Sequence, residues 1–126
     1  MLIAVRQHGV ELSAAGRAYA IDRVAHALAA VSDHVRKVMV FVSDQNGPRG
    51  GDDKRCRLAV TLAAGRPVVV EATGQTVCGV VDGAADAARR VVPAEVRRRS
   101  DRRRSGRLVQ ALKQLKLAFG RNGGMP

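Results

Sequence analysis

The sequence predicts an α+β fold: a two-layer β-α-β-β-β-α domain with a four-stranded sheet, two helices packed on one face, and a basic C-terminal extension. Two stretches, near residues 14–28 and 77–91, repeat apolar residues at the three- and four-residue spacing of a helix. The stretches near residues 2–6, 37–43 and 55–73 are rich in Val, Ile and Leu, and one of them alternates strictly. The excess positive charge falls after the second helix. Residues 1–88 hold ten Lys/Arg against nine Asp/Glu, and residues 89–126 hold twelve against two.

The elements follow in order. Residues 2–6 form a short strand with Ile3 and Val5 on one face. Ser13 supplies the side-chain oxygen that a helix N-terminus needs. The helix after it carries Ala14, Ala18, Ile21, Ala25 and Leu28 on one stripe and ends at Asp33 and His34. Residues 37–43 are apolar on both faces, which marks a central strand. Residues 46–53 are a loop by composition. Residues 55–63 point Leu58, Val60 and Leu62 one way and Arg57, Ala59 and Thr61 the other, then turn at 64–66 into a strand over 67–73. Strands joined so closely pair antiparallel.

Thr76 caps a second helix whose stripe is Val77, Val80, Val81, Ala84, Ala88 and Val91. Pro93 lacks the backbone donor and biases Val92 away from helical geometry, so a kink or restart is expected there. The boundaries that follow are a domain over residues 1–92 and an extension over 93–126. Within the extension, Leu108, Leu112, Leu115 and Phe119 fall on one face of a short amphipathic segment, and residues 120–126 form a tail. The β-α-β start makes strands one and two parallel, and the second helix returns to the face that holds the first.

A length of 126 residues suits a domain with one core, and a 46 % apolar share is ordinary. No apolar run is long enough to span a bilayer, and the N-terminus lacks a signal-peptide pattern. Cys56 and Cys78 form no CxxC pair, which points to a cytoplasmic chain with free thiols. His8, His26 and His34 have no ligand spacing with each other or the cysteines, so no metal or other cofactor is expected. Ser32, Asp33 and His34 are triad residue types without triad geometry, and Asp86 is placed to pair with Arg89 or Arg90 along the helix. No acid, base and nucleophile converge, so the chain reads as a non-enzyme without a small-molecule substrate.

The arginines carry the functional reading. Arg97, Arg98, Arg99, Arg102, Arg103, Arg104 and Arg107 would surround a helix with guanidinium groups, whose forks match phosphate oxygens. Only Glu95 and Asp101 dilute the run. Nucleic acid is the favoured partner over a merely solvated tail, and a membrane surface is disfavoured by the narrow apolar face at 107–119. Arg49, Lys54, Arg55 and Arg57 form a second, smaller basic patch. The glycine-rich loop at 46–51 lacks the GK[ST] ending of a phosphate loop. With Tyr19, Phe41 and Phe119 as the aromatics and no Trp, the expected mode is backbone and shape reading instead of base stacking.

Four stretches also carry a resemblance. Residues 10–13 with 17–19, residues 38–42, residues 44–51 with 53–57, and residues 77–90 with Asp82 and Asp86 resemble, in order and spacing, the ribosome hibernation-promoting factors and ribosome-associated translation inhibitors, also called sigma-54 modulation proteins. The resemblance covers about residues 1–92 and implies the same β-α-β-β-β-α fold. It implies binding to the small ribosomal subunit and its rRNA in the mRNA/tRNA channel, inhibition of translation and preservation of idle ribosomes. By position it brings Arg17 and Arg23 of the first helix, and Arg89 and Arg90 of the second, to rRNA. Pro93 and Ala94 depart from the family's unbroken second helix, so the residues beyond Arg90 rest on charge alone. At 126 residues there is no room for the dimerisation domain of long members, which implies the short type. A homodimer has no supporting feature. The rival readings are a general RNA- or DNA-binding module and a protein-interaction regulator of transcription.

Overall fold

The computed structural model describes residues 1–44 and 53–123, with side chains described as far as residue 115. Arg49 and its glycine-rich loop, and the Phe119 side chain, lie outside the described residues. The element order is β1 (Leu2–His8), α1 (Ala14–Ala27), a 3-10 turn (Ala29–His34), β2 (Val35–Asp44), β3 (Lys54–Leu62), β4 (Val68–Gly74) and α2 (Val77–Gly123). The chain divides into two compact units, Met1–Val96 and a second that begins at Arg97.

In the first unit the sheet runs β1-β2-β3-β4, with β1 parallel to β2 and the other pairs antiparallel. The two strands flanked on both sides are β2 and β3, and β2 is the one that reads as apolar on both faces. Its Val38, Val40 and Val42 are fully buried, as are Cys56, Leu58 and Val60 of β3. These face the helices. Alternation sends Lys37, Met39 and Phe41, with Arg57 and Ala59, to the opposite face, which no helix among the described residues covers. Gly65, at φ +85°, makes the turn between β3 and β4, a geometry that L side chains rarely adopt.

Both caps form as the sequence predicts. Ser13 Oγ accepts from the Gly16 N–H at 3.0 Å, and Thr76 Oγ1 from the Gly79 N–H at 3.0 Å. The buried stripe of α1 is different from the expected one. Ala20, Val24 and Ala27 are buried, while Ala14, Ala18 and Ile21 are exposed. An alanine-rich helix offers neighbouring stripes of nearly equal apolarity; the one carrying Val24 is buried, while Leu28, expected in the stripe, is fully buried as well. The α-helix also stops before Asp33: Leu28 ends it, and a 3-10 turn carries the chain to β2.

The second helix lays Val80, Val81, Ala84, Ala85, Ala88 and Val92 on the sheet. Small residues let it sit close. A Cβ added at Gly83 would lie 3.0 Å from the Ala72 Cβ of β4. Val91 is exposed and Val92 takes the expected core place, a one-residue shift in the stripe. The helix does not restart at Pro93: α2 continues through it. A helix-interior proline costs about 3 kcal/mol, but a fully buried apolar side chain contributes about 1.5–3 kcal/mol. Val92 and the partly buried Val96 bracket Pro93 and offset its cost.

Burial pushes the Cys56 thiol from its ordinary 9.0 up to about 12, whereas Cys78 is exposed. Alkylation of the native protein at mildly alkaline pH is therefore expected to modify Cys78, with Cys56 reacting after denaturation, as read by mass spectrometry. The raised pKa means the folded state holds the Cys56 proton more tightly than the unfolded state. Its contribution to stability is present below about pH 9 and is lost as pH rises from there toward 12. Denaturant titrations of Cys56→Ala are expected to show a shallower loss across that window than the parent.

Candidate nucleic-acid interface

The predicted basic residues fall into four structural settings. On the first helix, Arg17 and Arg23 are both tied to their own domain. Arg17 donates from Nη1 to the Val5 carbonyl at 3.1 Å and from Nη2 to Gln7 Oε1 at 2.9 Å, which pins α1 to β1. Arg23 donates from Nε to Asp82 Oδ1 at 3.2 Å and from Nη2 to Asp86 Oδ1 at 2.7 Å. Tyr19 adds a third bond, its hydroxyl donating to Asp82 Oδ1 at 2.6 Å. The spacing of Asp82 and Asp86 places both carboxylates on the side of α2 that faces α1. Their pairing with Arg23, across helices, replaces the pairing with Arg89 or Arg90 that sequence spacing suggests.

This network has clear electrostatic consequences. The bond to Asp86 chiefly raises the Arg23 pKa, and the bond to Asp82 raises that of Tyr19. The carboxylates are 42 % and 61 % exposed, so solvent screens the pairs and each contributes about 1 kcal/mol or less. The network fixes the helix pair in register and partly spends the Arg23 charge internally.

Arg89 and Arg90 are exposed on α2. Arg89 lines a cleft of about 650 Å³ together with Arg23, His26, Ala27, Ala29, Ala30 and Pro93. The structure thus brings Arg23 and Arg89 to one site and leaves Arg17 outside it. The cleft has an alanine and proline lining suited to a sugar or base, and cationic or donor groups suited to a phosphate oxygen. His26 and Pro93 are the residues that sequence reasoning missed here. The signal was present: His26 follows Arg23 by three residues and Pro93 follows Arg89 by four, so each pair shares a helix face.

In the second unit, Arg97, Arg98, Arg102, Arg103, Arg104 and Arg107 are exposed and Arg99 is half-buried. All belong to α2, so the guanidinium groups surround a formed helix. Leu108, Leu112 and Leu115 are each more than half exposed, a stripe open to solvent on the same helix. The secondary patch is divided. Lys54 donates to the Gln75 carbonyl at 3.2 Å, closing the end of the β3–β4 pair. Arg55 and Arg57 point to the uncovered sheet face and approach Glu71 at 4.0 and 3.8 Å. Among the described residues no group of three or more His, Cys, Asp or Glu is arranged to hold a metal ion, and no helix is long and apolar enough to cross a membrane.

No family model and no curated protein matches the chain. Seventeen chains of known structure do, among them the following two. The N-terminal domain of Thermus thermophilus Protein Y matches at 22 % identity with a TM-score of 0.58, over 71 % of this chain and 92 % of that one. A ribosomal subunit interface protein from Coxiella burnetii matches at 18 % identity with a TM-score of 0.60, over 71 % of this chain and 90 % of that one. The chain shares their fold. At these identities the likeness is one of architecture, and it agrees with the β-α-β-β-β-α order that the residues and the family resemblance both predict. It covers nearly the whole of each neighbour.

The two cleft arginines are expected to behave differently. Arg89→Gln should weaken RNA binding and lower the slope of log affinity against log salt by roughly 0.7–0.9, the share of one phosphate contact. Arg23→Gln should change that slope less and instead lower the thermal midpoint, because it deletes the bonds to Asp82 and Asp86. Salt-dependent fluorescence titrations and melting curves of the two variants check this.

Proposed function

We propose that this protein is a non-enzymatic ribosome-associated factor that docks on the small ribosomal subunit through rRNA phosphates. In that position, within the channel that holds mRNA and tRNA, it inhibits translation and preserves idle ribosomes in the cytoplasm. The observation that carries this reading is the placement of the basic excess. The helix that completes a fold shared with a ribosomal subunit interface protein is the helix that bears Arg89, Arg90 and the run from Arg97 to Arg107. Phosphate is the anion such a helix suits, since guanidinium forks pair with its oxygens and neutralise it.

The described surface offers little for reading base edges in a duplex groove, so backbone contacts on a defined rRNA shape are the expected mode. The cleft at Arg23, His26 and Arg89 adds a second, more shaped contact beside the first helix. Specificity for the ribosome then comes from the simultaneous fit of this shaped domain and a cationic helix to one rRNA surface. A general nucleic-acid module would respond to phosphate density alone.

Competition pelleting with small ribosomal subunits separates the two. The protein is expected to stay with subunits in the presence of naked duplex RNA at equal phosphate concentration, and equal partition would point to the general module. Replacing Arg97, Arg98, Arg99, Arg102, Arg103 and Arg104 with Gln should release it from subunits at moderate salt. The loss in salt slope should be roughly 0.7–0.9 for each phosphate contact removed, with the melting curve of the first unit unchanged.

A further inference from the structure

The helices occupy one face of the sheet, and among the described residues no element covers the other. Its composition is not that of a plain solvated surface. Strand pairing aligns Arg6 of β1, Phe41 of β2, Arg57 of β3 and Glu71 of β4 in one row across the sheet. Phe41 is one of two phenylalanines in the chain, and it is spent on a face that packs against no helix. It sits on an interior strand, partly exposed, with an exposed arginine in register on each side. The next row is Ala4, Met39, Ala59 and Val69, a low apolar shelf whose outer residue Val69 is 43 % exposed.

The charge on this face is also unbalanced. Among the described strand residues, Arg6, Lys37, Arg55 and Arg57 stand against Glu71. Arg55 and Arg57 share that single carboxylate at 4.0 and 3.8 Å, at the outer limit of an ion pair. The Arg55 Nε is buried and makes no hydrogen bond among the described residues. An anionic partner on this face would bring acceptors to the exposed Arg6 and Arg57 guanidinium groups.

We propose that the uncovered sheet face binds a single-stranded segment of nucleic acid. One base stacks on Phe41, the adjoining phosphates lie on Arg6, Arg57 and Arg55, and the sugar or a neighbouring base rests on the Met39–Val69 shelf. The chemistry selects a single strand. A ring on an open sheet face can take the face of an unstacked base, which a duplex does not offer. The scarcity of aromatics does not prevent this, because one central ring flanked by cations is enough for one stacked base. This site belongs to the first unit alone and uses none of the arginines from Arg89 onward. It stands or falls separately from the ribosomal reading.

The test uses the full-length chain, with fluorescent oligouridylate and a short RNA duplex as probes. Phe41→Leu keeps an apolar side chain and removes the ring. It should weaken oligouridylate binding about tenfold while leaving duplex binding unchanged. Arg6→Gln with Arg57→Gln should lower the salt slope for the single strand. As a check that needs no substitution, ultraviolet crosslinking of the wild-type protein to oligouridylate should yield a uridine adduct on the peptide containing Phe41. Unchanged single-strand affinity in Phe41→Leu, or adducts confined to peptides beyond Arg89, overturns the proposal. So does a concentration-dependent dimer that Phe41→Leu dissociates, since that would make the face a contact between copies of this chain.

Discussion

Burial of one face of α2 against the sheet is the constraint on which the rest of this structure depends. Val80, Val81, Ala84, Ala88 and Val92 are all but inaccessible to solvent. The close approach of Gly83 to Ala72 lets that stripe lie flat on β4. The same helix goes on to carry a dense row of exposed arginines. The sequence divides the two tasks: apolar spacing runs through Val92 and Val96, with Arg89 and Arg90 on the exposed side, and the dense arginines begin at Arg97. The carboxylates needed on the buried half, Asp82 and Asp86, are taken by Arg23 and Tyr19 of α1. That leaves Arg89 and Arg90 outside the helix–helix network of Asp82 and Asp86.

The core is built almost wholly from valine, leucine and alanine, and this has a consequence for the surface. Small residues allow close layers but fill little volume each, so the helix pair is fixed by polar contacts at its rim as well as by packing. Tyr19 serves at that rim and does not enter the core. Phe41 is on the uncovered face, and Phe119 belongs to the extension. Tyr19 and Phe41 therefore lie outside the buried core, each with part of its ring exposed.

The fold was legible because its signals are local. Alternation in β3, the Ser13 and Thr76 caps and the turn at Gly65 each act over a few residues. The stripe of α1 was not, because Ala14, Ala18 and Ala25 differ too little from Ala20 and Ala27 for periodicity to choose. Pro93 misled for the opposite reason. Its local cost is real, and tertiary burial of its neighbours outweighs it. At the site, charge runs were visible while their partners were not. Nothing in one-dimensional spacing reports that Arg23 reaches Asp82 and Asp86 some sixty positions away, or that Arg6 and Arg57 bracket Phe41. Those pairings exist through sheet register and helix packing.

The central claim is that the arginine-bearing part of α2 meets one defined rRNA surface. Directed hydroxyl-radical probing tests it most directly, with iron tethered at Ser105→Cys in a Cys78→Ser background and the protein bound to small ribosomal subunits. The account predicts a few strong rRNA cleavages clustered around the mRNA/tRNA channel, suppressed by excess unlabelled protein. Weak cleavages scattered over the subunit in proportion to exposed phosphate would contradict it.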